Sequence, residues 1–242
     1  MMCLCSPFLA NEVRNIMLSL EAELIDIPVY DKLPAPVSAH PDMLFYTLSD
    51  GSLLTDKGYL EQNPEFFAKL EQRVKIRTSK AGVTDKYPGD VRFDVLKAAG
   101  VLYGRIDFAA PEAAEDCERT VMVRQGYARC STLYMGNAAV TADAGLYRAL
   151  NADGIETLLI SSEGIRLKGY DCGFIGGASA YIEPKKTVVF FGDISCHPDF
   201  KSISDFITRK GHDIKFPKGL PLCDFGSVVA LTRDQDVRRH AL

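Results

Sequence analysis

Thiols, imidazoles and carboxylates stand at matching phase in this chain, each just ahead of a short apolar run. The segments are His40-Pro41-Asp42, Tyr87-Pro88-Gly89-Asp90, Arg129-Cys130-Ser131, Tyr170-Asp171-Cys172 and Leu222-Cys223-Asp224. A thiolate attacks the central carbon of a guanidinium or amidinium, carboxylates hold that planar cation by paired hydrogen bonds, and a His carries protons to the leaving nitrogen and from water. If Asp42, Asp90 and Asp224 line one cleft, their field attracts such a cation. The bound cation then favours the thiolate, whereas an empty acidic site raises the thiol pKa.

Cys172 ranks first as nucleophile, then Cys223 and Cys130, because Cys172 and Cys130 start strands and Cys223 adjoins one. Cys117 falls in a short helical segment, and Cys3 and Cys5 lie near the N-terminus. His40 enters a strand and is the candidate general acid or base. His197 precedes a helical stripe, where His-Pro-Asp is a capping turn, and His212 and His240 read as surface residues. The plainer reading stands beside each of these: Asp and Pro before a strand form turns, and free cysteines are commonly small buried hydrophobes.

These residues sit on a repeated unit. Taking Asp42, Asp90, Cys130, Cys172 and Asp224 as equivalents gives steps of 48, 40, 42 and 52 residues, a period that belongs to propellers, toroids and solenoids. Helical stripes run through Val13, Ile16, Met17, Leu20 and Leu24, through Leu60, Phe67, Leu70 and Val74, and through Phe200, Ile203, Phe206 and Ile207. A short helix is expected at 111–117. Another runs from Asp143 as N-cap to Asn151, with Gly154 as its stop. Strands are expected at 24–29, 43–48, 91–96, 101–103, 121–123, 132–135, 138–141, 157–160, 173–182, 187–191 and 227–231. The predicted fold is α/β, a closed ring of five ββαβ blades in one domain spanning 1–242, with approximate units 1–55, 56–106, 107–141, 142–195 and 196–242. In a closed ring the leading side chains of all units face a common axis.

The 242 residues, 47% apolar and 25% charged, suffice for one core of ordinary composition. A net charge of -4 with dispersed Lys and Arg argues against nucleic acid and membrane partners. The N-terminal stretch carries Glu12 and Arg14 within its apolar positions and reads as part of the folded domain rather than a leader. Seven cysteines without paired short spacings suit a reducing cytoplasm. No cofactor or metal is expected. Cys196-His197-x-Asp199 places its donors too close together for good chelation, and Gly176-Gly177 lacks the spacing of a phosphate loop. These glycines instead let backbone approach backbone or ligand at the ring centre.

The chain resembles the pentein, or guanidino-group-modifying, superfamily, and more closely an uncharacterised bacterial group assigned to that fold. The likeness is carried by the five units and by Tyr170-Asp171-Cys172-Gly173-Phe174-Ile175-Gly176-Gly177-Ala178-Ser179, by Phe191-Gly192-Asp193-Ile194 with His197-Pro198-Asp199, and by Asp224-Phe225-Gly226-Ser227. It implies the five-bladed fold and a cysteine hydrolase or transferase acting on guanidine or amidine compounds. Superfamily members carry a Glu-Gly-Gly-Asp motif; here Gly176-Gly177 match its glycines, while Ile175 and Ala178 occupy the acid positions. His40-Pro41-Asp42 is similar to the His motif but sits in the first unit, and Cys223 lacks the usual nucleophile context. Two functions therefore remain open: a guanidine or amidine hydrolase or transferase, with Cys172, Cys223 or Cys130, His40 and the acids in one cleft, and a non-catalytic small-molecule- or protein-binding domain on the same scaffold.

Overall fold

The structure is a computed structural model and describes residues 1–231. It contains five three-stranded sheets. Four follow one another along the chain: β3 (Phe45–Thr47), β4 (Leu53–Thr55) and β5 (Ile76–Thr78); β6 (Leu96–Ala98), β7 (Val101–Gly104) and β8 (Arg119–Met122); β9 (Thr132–Tyr134), β10 (Ala138–Thr141) and β11 (Glu156–Leu159); β12 (Ser179–Ile182), β13 (Thr187–Phe190) and β14 (Asp213–Lys215). The fifth joins β15 (Val228–Leu231) to β1 (Met2–Cys5) and β2 (Glu23–Asp26). Met2 pairs with Leu231 and Cys5 with Val228, which closes the ring.

Every sheet has the same plan: the inner strand is antiparallel to the middle one, and the middle is parallel to the outer one. A parallel pair needs a crossover, and helices supply it: α1 (Asn11–Ser19), then, after a one-turn α2 (Pro41–Leu44) that leads into β3, the pair α3 (Lys57–Gln62) and α4 (Pro64–Leu70), followed by α5 (Pro111–Glu115), α6 (Ala144–Ala152) and α7 (Phe200–Arg209). The protein is thus a five-bladed β/α propeller of ββαβ repeats. Each expected unit boundary after 55, 106, 141 and 195 falls between a middle and an outer strand, so the units are cut at the same phase throughout.

The middle strands β1, β10 and β13 are buried along their whole length, as sheets covered on both faces require. The α1 stripe Val13, Met17 and Leu20 packs with Val189 and Phe191 of the neighbouring blade. Burial of one such side chain contributes about 1.5–3 kcal/mol. Asp143 caps α6 by accepting the Leu146 N–H at 2.7 Å, and Gly154 ends that segment at φ +81°.

Several expected elements are shorter or shifted. Pro41, pre-set for a first helical turn, makes 41–44 helical, so β3 begins only at Phe45. Residues 91–95 and 173–178 are loops, not strand, and Asn63-Pro64 breaks the second helical stripe into α3 and α4. Strands β1, β5 and β14 were not expected. Among the described residues, no helix is long and apolar enough to cross a membrane.

Candidate active site

Two cavities share the ring axis. The larger, about 610 Å³, is the bore, lined by residues of all five inner strands, among them Tyr46, Leu96, Leu133, Tyr181 and Val228. Arg129 lines it too, and donates to the carbonyl oxygens of Phe45 at 3.2 Å and Val228 at 2.9 Å, tying three units together. The smaller cavity, about 110 Å³, lies among the loops that enter the inner strands, with His40, Asp94, Cys130, Cys172 and Asp224 in its wall.

The chemistry-bearing residues in these loops are buried: Asp42 and Asp94 are 0% exposed, His40 and Asp224 3%, and Cys130 4%. Cys130 Sγ lies 3.3 Å from Asp224 Oδ2. Asp224 Oδ1 is 3.8 Å from His40 Nδ1. A ring nitrogen of His40, a carboxylate oxygen of Asp42 and the Cys130 sulfur all lie within 4.8 Å of one another. Such N, O and S donors also match the ligand types of zinc.

Backbone groups hold this cluster in place. The Phe174 N–H donates to Asp224 Oδ2 at 2.9 Å and the Gly226 N–H to Oδ1 at 3.0 Å, while the Cys130 N–H donates to Asp94 Oδ1 at 2.9 Å. Asp42 is different. Neither of its carboxylate oxygens is held by an N–H or O–H donor of any described residue, the Cys130 thiol being its polar neighbour, and Asp94 Oδ2 and His40 Nε2 are likewise unpartnered. Orphaned buried polar atoms are rare and point to a missing ligand, ion or water.

Burial and mutual repulsion dominate the electrostatics. Burial, with the charges of Asp224, Asp42 and Asp94 added, pushes the Cys130 thiol well above its ordinary pKa. Burial and the neighbouring Asp42 push Asp94 well up, against the hydrogen bond from Cys130 N–H. Asp224 is raised by burial, partly offset by His40. The acids and thiol of the site therefore disfavour one another's charges.

Gly177 makes the close approach possible. Its N–H donates to Cys130 O at 2.8 Å, and a Cβ there would overlap Asp224 Oδ1 and sit 2.5 Å from Cys130 Sγ. Gly176 lines the bore, where a Cβ would come within 2.6 Å of three backbone carbonyl oxygens. The pair thus serves close backbone packing at the ring centre, with Gly176 in the lining of the larger cavity and neither glycine in that of the smaller one.

Of the other sequence candidates, Cys172 lines the small cavity and is half-buried. Cys223 lies outside that lining, bridged to Arg166 in a parallel pair, and burial raises its pKa. Asp90 also stands outside the lining and accepts the Tyr127 hydroxyl at 2.8 Å. The acid that faces the cluster from this unit is Asp94, which the sequence reading placed inside a strand. Its signal was available: Asp94 precedes β6 by two residues, as Cys130 precedes β9 by two.

His197 Nδ1 accepts the Asp199 N–H at 3.0 Å, a capping turn. His212 is buried, not on the surface, with ring nitrogens 3.2 Å from Tyr181 Oη and from Asn137 Oδ1. Cys117 lies just beyond α5, 3.5 Å from the Tyr46 hydroxyl, and Cys3 and Cys5 are buried in β1. His240 falls outside the described residues.

The fold is similar to solved guanidino-group-modifying enzymes. DDAH from Pseudomonas aeruginosa, a cysteine-to-serine variant complexed with citrulline, superposes with a TM-score of 0.57 at 10% identity, over 90% of this chain and 91% of that one. A dimethylarginine dimethylaminohydrolase adduct with S-methyl-L-thiocitrulline gives 0.56 at 12% identity, over 90% and 92%. An amidinotransferase of the saxitoxin biosynthetic pathway from Microseira wollei gives 0.56 at 10% identity, over 93% and 79%. The chain thus has the pentein fold. No curated protein sequence matches it. By its sequence, matched over residues 5–229, the chain belongs to the family of unknown function DUF6873.

Proposed function

We propose that the small acidic cavity binds the planar cation of a guanidine or amidine compound and cleaves its C–N bond through Cys130. One observation carries this reading: the Asp42 carboxylate, fully buried beside the thiol and imidazole, has neither oxygen held by an N–H or O–H donor among the described residues. An unpaired buried carboxylate is costly, and a cation with N–H donors in one plane relieves that cost at both oxygens. The guanidino-modifying enzymes sharing the fold support the substrate class.

In this scheme the cation enters against Asp94 in the cavity wall and reaches Asp42, which lies outside that lining beside His40 and Cys130. The positive charge offsets the acids, and the thiol proton passes to Asp224. The sulfur forms a bond to the central carbon; His40 passes a proton to the departing amine as the C–N bond breaks. Water then loses a proton to His40 and adds to the same carbon. The C–S bond breaks, the sulfur regains its proton from Asp224, and a ureido product leaves. An acceptor amine in place of water makes the same cycle a transfer. Cys130 replaces Cys172 as the leading thiol because it has the imidazole and acids around it. The free thiols suit a reducing, cytoplasmic setting.

A binding-only domain is the second reading, favoured by the raised pKa of the Cys130 thiol in the empty site. Incubation with arginine, agmatine, methylarginines, guanidinoacetate and methylguanidine separates the two. The proposal expects release of ammonia or amine with a ureido product, lost in Cys130→Ser. Binding without turnover would favour the second reading, and turnover unchanged in Cys130→Ser would exclude this mechanism.

A further inference from the structure

We infer that the substrate's guanidine or amidine carries an apolar, preferably aromatic substituent and no carboxylate. This deepens the guanidinium reading of the cavity and rests on it. The cavity of about 110 Å³ accommodates a head group only, so the substituent must leave across the rim.

The lining outside the polar cluster is apolar: Val37 and Met43 are buried, and Leu167, Tyr127, Tyr170 and Phe174 reach toward solvent. Among the lining residues His40 alone can carry positive charge. A tail carboxylate would meet no Arg or Lys in the lining and would enter the field of three buried acids, an arrangement that rejects it; the exposed Arg166 and Lys168 flank Leu167 in sequence but neither lines the cavity. Arg105, the cation that reaches the Tyr87 hydroxyl at 3.3 Å, has its Nε and Nη2 held by Asp107 at 2.9 and 2.7 Å.

The aromatic rings are also pre-organised. Tyr127 and Phe174 stack with centroids 6.0 Å apart and planes 30° apart, and Tyr87 lies 5.9 Å from Tyr127. The Tyr127 hydroxyl is anchored on Asp90. Tyr87 and Tyr170 remain 48% exposed. Rings fixed in place but left open to solvent offer area to an apolar ligand at little entropic cost.

Calorimetric titration of the intact protein with methylguanidine, benzylguanidine and arginine tests the inference. Benzylguanidine should bind ~10-fold tighter than methylguanidine, from the ring area it buries, and arginine more weakly than either. Tyr170→Ala should remove most of the benzyl advantage while methylguanidine binding is kept; Tyr87→Ala is the second variant should the first fail to fold. If methylguanidine binds but arginine equals or exceeds benzylguanidine, the tail inference is overturned and the head-group reading stands. If none of the three binds, the head-group reading fails and the inference falls with it.

Discussion

Asp224 Oδ2 stands 3.3 Å from the sulfur of Cys130, and both groups are almost fully buried. One carboxylate thereby touches the thiol with one oxygen and approaches His40 with the other, at 3.8 Å. Two negative charges at this distance repel strongly away from water, which pushes the thiol and the carboxyl group up together. Activation must come from the ligand.

Removing the thiol should therefore separate the candidate cysteines. Cys130→Ser and His40→Ala should each lower kcat at least ~100-fold, the scale of lost nucleophilic or acid–base catalysis. Cys172→Ser at the cavity wall and Cys223→Ser outside it should change kcat only a few-fold. Steady-state assays of the purified variants make the comparison.

The acids set the pH profile. Burial of Cys130 and the negative charge of the acids hold the thiol up, so the rate at which neutral chloroacetamide alkylates Cys130 should climb with pH beyond the ordinary thiol range. Asp94→Asn removes one charge while keeping an oxygen for the Cys130 N–H, so the climb should move to lower pH. An unmoved profile would mean that another group governs the rate.

The same acids should weaken the fold at neutral pH. The pKa values of Asp94 and Asp224 are raised in the folded state, so folding takes up protons; the stability from these groups is present at low pH and is lost as pH rises from the ordinary carboxylate range through the raised values. Asp94→Asn should be more stable than the parent at pH 8, by about 2–4 °C in Tm for each kcal/mol relieved. The advantage should shrink toward pH 5. Thermal unfolding at both values checks the sign.

At Gly177 there is no room for a methyl group. Gly177→Ala should cost about 1–3 kcal/mol, the scale of overpacking, and should reduce activity by displacing Asp224 from Cys130. Denaturant unfolding measures the first effect and turnover the second.

Much of this was legible in the sequence, because one supersecondary unit repeated five times leaves a period and puts polar residues ahead of each inner strand. His40, Asp42, Cys130 and Asp224 came from that phase. Asp94 did not: Val91-Arg92-Phe93-Asp94-Val95-Leu96 alternates like a strand, yet only its last residue pairs, and the side chain that alternation would aim outward is buried at the axis. The proposed mechanism puts Cys130 ahead of Cys172, and the same slip in phase explains the reordering. Cys172 precedes β12 by seven residues and Cys130 precedes β9 by two, because 173–178 crosses the ring centre before pairing. Charge repulsion among side chains up to 182 residues apart in sequence, Asp42 and Asp224, has no local signature.

The most direct test of the central claim is labelling with chloroacetamidine, followed by peptide mass spectrometry. The amidinium should dock on Asp42 and Asp94, and the Cys130 sulfur should displace chloride to form a thioether. The account predicts an adduct on Cys130 ahead of every other cysteine, formed much faster than with neutral chloroacetamide and slowed in Asp42→Asn. Labelling of Cys172 or Cys223 with Cys130 spared, or equal rates for amidine and amide, would contradict it.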